Sequence, residues 1–232
     1  MQLITFHFAG GNKFSFNSLK KYMPASIDLV NLEFPGRIHQ QDLTTDVHEI
    51  ADHVYKEVIR HTGKPYAFFG HSMGTTIGYL VTKKLISAHL DLPVHLFVSG
   101  RLGPSFPFLK DGFHKLPKKD FLKGVKKLDG IPEEIYNSSA MDFFEPLLRA
   151  DFAAIEGYKY ENTKPFEIPI TVFYGSREGI DERILDVSWQ KETTIPVDVH
   201  RFSGGHFFIY DHWEEIAGIF KNKLENAYLI KN

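Results

Sequence analysis

The sequence predicts an α/β fold in which a mostly parallel sheet carries helices on both faces. Short, continuous apolar segments recur along the 232 residues, and segments with helical periodicity follow them. A Gly-x-Ser-x-Gly motif at 70–74 lies between one such strand and its helix. The alternation stops between 101 and 160, where only helical patterns occur. We therefore expect one domain over residues 1–232 with a helical lid insertion at 101–160.

The composition limits the classes of partner and site. Hydrophobic residues make up 43% and charged residues 24% of the chain, which suits a substantial core. The net charge is −2 and no long basic segment occurs, so neither nucleic acid nor an anionic membrane is favoured as a partner. The absence of cysteine excludes disulfides, a cysteine nucleophile and cysteine-ligated metals. Because the chain shows no signal-peptide pattern and no apolar segment of membrane-spanning length, a cytoplasmic protein is expected. We also expect it to be a monomer.

The first half of the chain begins with a predicted strand at 3–8. It ends in Ala9-Gly10-Gly11, where two glycines allow a sharp loop and a close backbone approach. Three elements follow: a short helix at 14–22, a strand at 27–32 and a Phe34-Pro35-Gly36-Arg37 turn. Apolar residues at helical spacing then predict an amphipathic helix at 46–60, with Asp46 as its N-cap.

The second half continues the alternation on either side of the insertion. The remaining strands are predicted at 66–69, 94–99, 169–174 and 197–202. The remaining helices are predicted after Gly74, at 118–128, 132–137 and 142–154 within the insertion, and at 212–228. An insertion between two strands emerges at the edge where open α/β sheets hold their sites, so we favour a lid over the alternative of a simple cap that completes the core.

The segment Gly70-His71-Ser72-Met73-Gly74 predicts a nucleophile elbow. A serine on a tight strand-to-helix turn needs small residues two positions away on either side, and Gly70 and Gly74 provide that space. The turn lifts the hydroxyl clear of the sheet at a helix N-terminus, whose free N–H groups stabilise negative charge. Ser72 is therefore the predicted nucleophile.

A serine nucleophile needs a base, and the base needs an orienting carboxylate. His206 is the candidate base because it lies in a glycine-rich loop after the last strand, as the order serine, acid, histidine requires. The loop after the 169–174 strand offers two carboxylates, Glu178 and Asp181, and residue type alone does not choose between them. Four other histidines are interpreted as packing or surface residues: His7, His71, His95 and His200.

Two backbone N–H groups are expected to form an oxyanion hole. One belongs to Met73, the residue after the nucleophile, and the other to the loop after the first strand. We assign the second donor to Ala9, with Phe8 as the alternative. This chemistry requires no metal, and none is expected.

These segments together resemble the type II thioesterases of the α/β-hydrolase superfamily, the editing enzymes that accompany nonribosomal peptide and polyketide synthases. The matching segments are FHFAGG at 6–11, FPGR at 34–37, GHSMG at 70–74, SGR at 99–101, LLRAD at 147–151 and GGHFF at 204–208. The resemblance implies an α/β-hydrolase fold and a Ser-His-acid triad that hydrolyses acyl or aminoacyl thioesters. It also implies that the substrate is carried on the phosphopantetheine arm of an acyl or peptidyl carrier protein, so that the enzyme itself needs no cofactor.

Two positions depart from the family pattern. Histidine stands at position 7, where the family usually has proline, and Glu178 stands where the family's acid is normally aspartate. Because of its position, Glu178 is assigned as the triad acid with Ser72 and His206, and Asp181 remains the alternative. The resemblance also implies that the insertion is the helical lid, with Arg149 and Asp151 near its end, and we interpret these two charges as structural. In the lid segment of this chain, four phenylalanines suggest that apolar acyl chains are tolerated: Phe106, Phe108, Phe143 and Phe144.

Two other functions remain open from the sequence. A general carboxylesterase or lipase acting on free esters would use the same triad. A non-catalytic subunit that only binds an acylated partner is disfavoured by the intact serine, histidine and glycine pattern.

Overall fold

Within the described residues, the chain forms a six-stranded parallel sheet. The computed structural model describes residues 1–38, 42–107, 112–128, 136 and 138–231, with the backbone alone from residue 226 onward. The strands are β1 (Gln2–Phe6), β2 (Asp28–Asn31), β3 (Tyr66–His71), β4 (Leu96–Ser99), β5 (Ile170–Gly175) and β6 (Asp198–Phe202). Their order is β2-β1-β3-β4-β5-β6, and every neighbouring pair is parallel. The carboxyl ends of all these strands therefore meet at one edge.

Helices cover both faces of the sheet. Those of the described residues are α1 (Val47–Val58), α2 (Met73–Ser87), α3 (Lys118–Lys127), α4 (Ala140–Gly157), α5 (Glu182–Gln190) and α6 (Trp213–Lys231). Helix α6 packs on one face with a short 3₁₀ helix at Asn17–Lys21, and α1 to α5 contribute to the core on the other. The predicted N-cap of α1 is confirmed, because the Asp46 side chain accepts a hydrogen bond from the His48 N–H at 2.8 Å.

Alternate residues of the strands supply two separate cores. In β3, Tyr66 and Phe68 pack with α1 and α2, whereas Ala67 and Phe69 pack toward α6. The Phe69 ring lies 5.2 Å from the Phe220 ring of α6, measured between centroids. Because both faces of the strand are buried, its sequence is continuously apolar and does not alternate with polar residues.

Several predicted elements differ from the structure. The first strand ends at Phe6 and not at residue 8, because His7 and Phe8 leave the sheet and begin the following loop. The helix predicted at 14–22 is the 3₁₀ helix at Asn17–Lys21. The sequence pattern does not predict α5, since exposed Ile184 and Val187 blur its amphipathic periodicity. The helix predicted at 132–137 lies outside the described residues, apart from position 136.

The segment 101–160 lies between β4 and β5 in chain order. Its described part contains α3 and α4 and no strand. The rings of Phe121 in α3 and Phe152 in α4 meet edge to face, with centroids 5.8 Å apart. These two helices thus form one packed unit over the carboxyl edge of the sheet. No helix in the described part of the chain combines the length and apolarity needed to cross a membrane.

Candidate active site

Ser72 lies on a strained turn between β3 and α2. Its φ of 55° is in the left-handed region that residues with side chains rarely adopt. Its N–H donates to the Ser99 carbonyl oxygen at 2.8 Å. A Cβ on Gly74 would lie 1.9 Å from the Phe6 carbonyl oxygen, and a Cβ on Gly70 would lie 2.6 Å from the Gly74 backbone. Only glycine fits at these two positions, as the elbow interpretation requires.

His206 lies in the loop after β6 and faces the serine. Its Nε2 is 2.9 Å from Ser72 Oγ, and the two residues are 9% and 3% exposed. The loop is tied to the one after β5, since the Arg177 N–H donates to the Gly204 carbonyl oxygen at 2.8 Å. Gly204 has a φ of 133°, which glycine adopts without strain. The two loops therefore support each other beside the nucleophile.

Glu178 lies on the other side of the His206 ring. Its Oε1 is 2.6 Å from His206 Nδ1, and its Oε2 accepts a hydrogen bond from the Gly175 N–H at 2.7 Å. The Glu178 side chain is 4% exposed. Because an ionised carboxylate only accepts hydrogen bonds, Nδ1 carries the ring proton and Nε2 accepts from the Ser72 hydroxyl. This arrangement can move a proton from the serine to the imidazole.

The alternative carboxylate, Asp181, occupies a different position. It is the N-cap of α5, where its side chain accepts a hydrogen bond from the Arg183 N–H at 2.9 Å. Hydrogen bonds from Arg183 lower the pKa of Asp181 below its usual value. The structure brings Glu178 together with Ser72 and His206, and it places Asp181 at a helix end.

The two predicted oxyanion donors lie beside the serine. Met73 is the first residue of α2, so its N–H has no partner within the helix. Ala9 lines the same pocket as Ser72 and His206. Within the described part of the chain, the Ala9 N–H has no hydrogen-bond acceptor. Both groups are therefore free to bind an oxygen that becomes negatively charged.

His71 is the last residue of β3, and its ring packs against that of His206. Its ring centroid is 4.9 Å from that of His206, and its Nδ1 is 2.9 Å from Ser99 Oγ. Burial, together with the charge that His206 carries when protonated, holds the pKa of His71 well below its usual value. His71 is thus a neutral packing residue, as predicted, but its contact with His206 has no local signal in the sequence because the two are distant along the chain.

An apolar pocket opens over Ser72 and His206. The rest of its wall consists of Phe8, Ala9, Val125, Leu128, Leu148, Phe152 and Phe207. Four of these residues belong to the 101–160 segment, so this segment covers the site. A wall of this kind favours an apolar group on the molecule that enters.

The phenylalanines singled out in the lid sequence lie elsewhere. Phe106 lies beneath Lys191, and Phe143 is exposed to solvent. Phe144 packs against the core, and Phe108 lies outside the described residues. The apolar character of the pocket therefore comes from other side chains.

The two lid charges have contrasting environments. Arg149 pairs with Glu145 at 2.8 Å in a partly exposed position. Asp151 is 1% exposed and its Oδ2 is 2.6 Å from Arg37 Nη2 and 2.7 Å from the Gly10 nitrogen. This second contact reaches the loop that carries Ala9. Among the residues that the structure describes, no cluster of three histidines or carboxylates could hold a metal ion.

A model of the thioesterase domain family matches residues 1–224 of the chain. The chain belongs to the thioesterase family. The gramicidin S biosynthesis protein GrsT of Aneurinibacillus migulanus is 33% identical to this thioesterase, over 91% of this chain and 84% of GrsT. This match extends over nearly the whole chain.

Solved structures give the same result. ClbQ from the colibactin NRPS/PKS pathway is 25% identical, with a TM-score of 0.91 over 99% of this thioesterase and 98% of ClbQ. The type II thioesterase BorB from the borrelidin biosynthetic cluster is 26% identical, with a TM-score of 0.85 over 96% of this chain and 92% of BorB. The predicted α/β-hydrolase fold and the resemblance to type II thioesterases are confirmed. The chain is a serine hydrolase that acts on thioesters.

Proposed function

We propose that this thioesterase releases acyl or aminoacyl groups from the phosphopantetheine arm of carrier proteins, as an editing enzyme of nonribosomal peptide or polyketide synthesis. The observation that carries the proposal is the hydrogen-bonded series Ser72, His206 and Glu178 beneath an apolar pocket. The names of the relatives support the setting, because GrsT belongs to gramicidin S biosynthesis and ClbQ to a colibactin NRPS/PKS pathway.

In the first step, Ser72 Oγ attacks the thioester carbonyl carbon. His206 Nε2, 2.9 Å from that oxygen, takes the hydroxyl proton as the new C–O bond forms. Glu178 accepts the Nδ1 proton of the ring at 2.6 Å, which holds the required tautomer and stabilises the imidazolium. The neutral ring of His71 packs beside this imidazolium without adding a second positive charge.

The tetrahedral intermediate places a negative charge on the former carbonyl oxygen. The N–H groups of Ala9 and Met73 bind this oxyanion. Each such donor typically contributes about 10²–10³ in rate. Because both are backbone groups held by the fold, they need no rearrangement during the reaction.

The C–S bond then breaks, and the departing thiolate of the phosphopantetheine arm takes the proton from His206. The acyl group remains on Ser72 as an oxygen ester. Water attacks this ester while His206 accepts its proton, and collapse of the second intermediate returns the proton to Ser72 and releases a carboxylic acid. The reaction uses no metal and no cofactor of the enzyme.

The test is the release of acyl groups from a loaded carrier protein, followed by mass spectrometry of the phosphopantetheine arm. Wild type should return the arm to the free thiol, and Ser72→Ala should lower the rate by about 10⁴ or more. Ser87→Ala, at the exposed far end of α2, is the matched control and should behave as wild type. Acyl release by Ser72→Ala at the wild-type rate would remove the basis of the proposal.

A second comparison separates the thioesterase from a general esterase. The same acyl group is offered on the carrier protein and as an ester of a short alcohol. We expect a higher kcat/KM for the acyl carrier protein than for the free ester. A higher value for the free ester would instead assign the enzyme to small-ester hydrolysis.

A further inference from the structure

A buried carboxylate outside the triad is joined to the oxyanion loop. Asp151 lies on α4 and is 1% exposed. Its Oδ2 accepts two hydrogen bonds, from the Gly10 N–H at 2.7 Å and from Arg37 Nη2 at 2.6 Å. A buried charge of this kind is unfavourable unless it is fully paired, and both of its partners belong to segments far away in sequence.

Arg37 extends this contact to the other end of the loop. Its guanidinium Nε donates to the Gly11 carbonyl oxygen at 3.0 Å, and its Nη1 donates to the Pro35 carbonyl oxygen at 3.0 Å. Its side chain is 3% exposed. Asp151 and Arg37 thus hold the N–H of Gly10 and the carbonyl of Gly11, and these residues directly follow Ala9.

The peptide unit before Ala9 is held as well. The Phe8 carbonyl oxygen accepts hydrogen bonds from the Gly11 N–H at 2.9 Å and from His7 Nδ1 at 3.0 Å. In a trans peptide the C=O and N–H point in opposite directions, so fixing the Phe8 carbonyl aims the Ala9 N–H the other way. The peptide units on both sides of Ala9 are therefore fixed by named contacts.

We propose that Asp151, acting through Arg37 and Gly10, is a positioning residue that aims the Ala9 N–H at the oxyanion. The inference rests on the proposed function, since it assigns Ala9 as an oxyanion donor. One consequence concerns α4, which supplies both Asp151 and the pocket residue Leu148. The same helix that covers the acyl group thus also supports the donor, and a site without α4 in place lacks an aimed Ala9 N–H.

The primary test compares Asp151→Asn and Asp151→Ala with wild type on a free acyl thioester of N-acetylcysteamine. Asparagine keeps an oxygen for the Gly10 N–H but removes the charge that holds Arg37. We expect kcat to fall about 10-fold for asparagine and about 100-fold for alanine, below the loss of a whole donor, with KM changed less than threefold.

A second readout separates positioning from a structural role. A trifluoromethyl ketone analogue of the substrate forms a tetrahedral oxyanion on Ser72, so its inhibition constant should rise by the same factor as kcat falls. Glu145→Gln is the matched control, because it removes a carboxylate charge on the same helix, which pairs with Arg149 and Lys118, without touching the oxyanion loop. This control should leave kcat and the inhibition constant within twofold of wild type.

Some outcomes would overturn the inference. A folded Asp151→Ala enzyme with wild-type kcat, or equal losses in Asp151→Ala and Glu145→Gln, would show that Asp151 does not act on the donor. If Asp151→Ala fails to fold, the uncharged double variant Arg37→Gln/Asp151→Asn is measured in its place. We expect this variant to lose kcat and affinity for the trifluoromethyl ketone together. A kcat and an inhibition constant equal to those of wild type would refute the inference. Failure of the proposed function is distinguishable, because the wild-type enzyme would then leave the loaded carrier intact whatever these variants do.

Discussion

Replacement of Glu178 by glutamine tests which carboxylate supports His206. The change keeps the size of the side chain, so the fold should be retained. In the wild-type protein both oxygens are used, Oε1 by His206 Nδ1 at 2.6 Å and Oε2 by the Gly175 N–H at 2.7 Å. A glutamine amide has one oxygen and one NH₂ group, so it cannot satisfy both partners as the carboxylate does.

The magnitude follows from this geometry. The Gly175 N–H can only donate, so it takes the amide oxygen and leaves the NH₂ group facing His206 Nδ1. The ring then accepts at Nδ1 and carries its proton on Nε2, where it no longer accepts from Ser72. Loss of the correct tautomer in a serine triad costs about 10⁴ in kcat, which is about 5.5 kcal/mol of activation free energy. We expect Glu178→Gln to lose about 10³–10⁴ in kcat.

The assay is steady-state hydrolysis of an acyl N-acetylcysteamine thioester, with the released thiol measured continuously. Asp181→Asn is the matched control, since Asp181 caps α5 and asparagine is also an effective N-cap. It should retain kcat within a factor of about two. A kcat for Glu178→Gln within tenfold of wild type, or a larger loss in Asp181→Asn, would refute the assignment of Glu178.

Three further predictions concern the fold, the pH dependence of stability and the pocket. Gly74→Ala should abolish folded protein because its Cβ would lie 1.9 Å from the Phe6 carbonyl oxygen. The control, Gly218→Ala on the open surface of α6, should be neutral or stabilising by about 0.5–1 kcal/mol. Circular dichroism and activity measurements that found a folded, active Gly74→Ala enzyme would contradict this prediction. Burial lowers the pKa of His95 to about 3, below its unfolded value near 6.5, so its contribution to stability is present above pH 6.5 and is lost as the pH falls. Urea unfolding at pH 7.5 and pH 5 should show wild type losing about 2 kcal/mol more than His95→Gln, and equal losses would argue against a buried neutral ring. Leu128→Trp should narrow the pocket and lower kcat/KM for an octanoyl thioester at least tenfold more than for an acetyl thioester, and a uniform loss for both substrates would place Leu128 outside the acyl site.

Most of the fold is predictable from the sequence because the sheet is buried on both faces. Continuous apolar segments such as 66–69 and 169–174 have no other stable place in a domain of this size. The exceptions have local causes. Residues 7 and 8 are aromatic, as strand residues often are, but they leave the sheet and begin the loop that carries Ala9. Exposed apolar residues obscure the periodicity of α5.

The site shows the same division. Ser72 and His206 are predictable because each lies in a short segment after a strand, beside glycines that the backbone geometry requires. Glu178 is predictable only as one of two carboxylates in a loop, together with Asp181. The distances of the folded chain separate them, because one contacts His206 and the other caps a helix.

The sequence by itself predicted the elbow, a candidate base, the lid insertion and the thioesterase resemblance. Each of these features depends on residues that are neighbours along the chain, where steric constraints and hydrophobic periodicity act directly. The tertiary structure alone decided that Asp151 and Arg37 hold the loop carrying Ala9, and that His71 packs against His206. Such contacts join residues that are distant in sequence, and no local rule of backbone geometry or hydrophobic spacing specifies which buried charge will meet which loop.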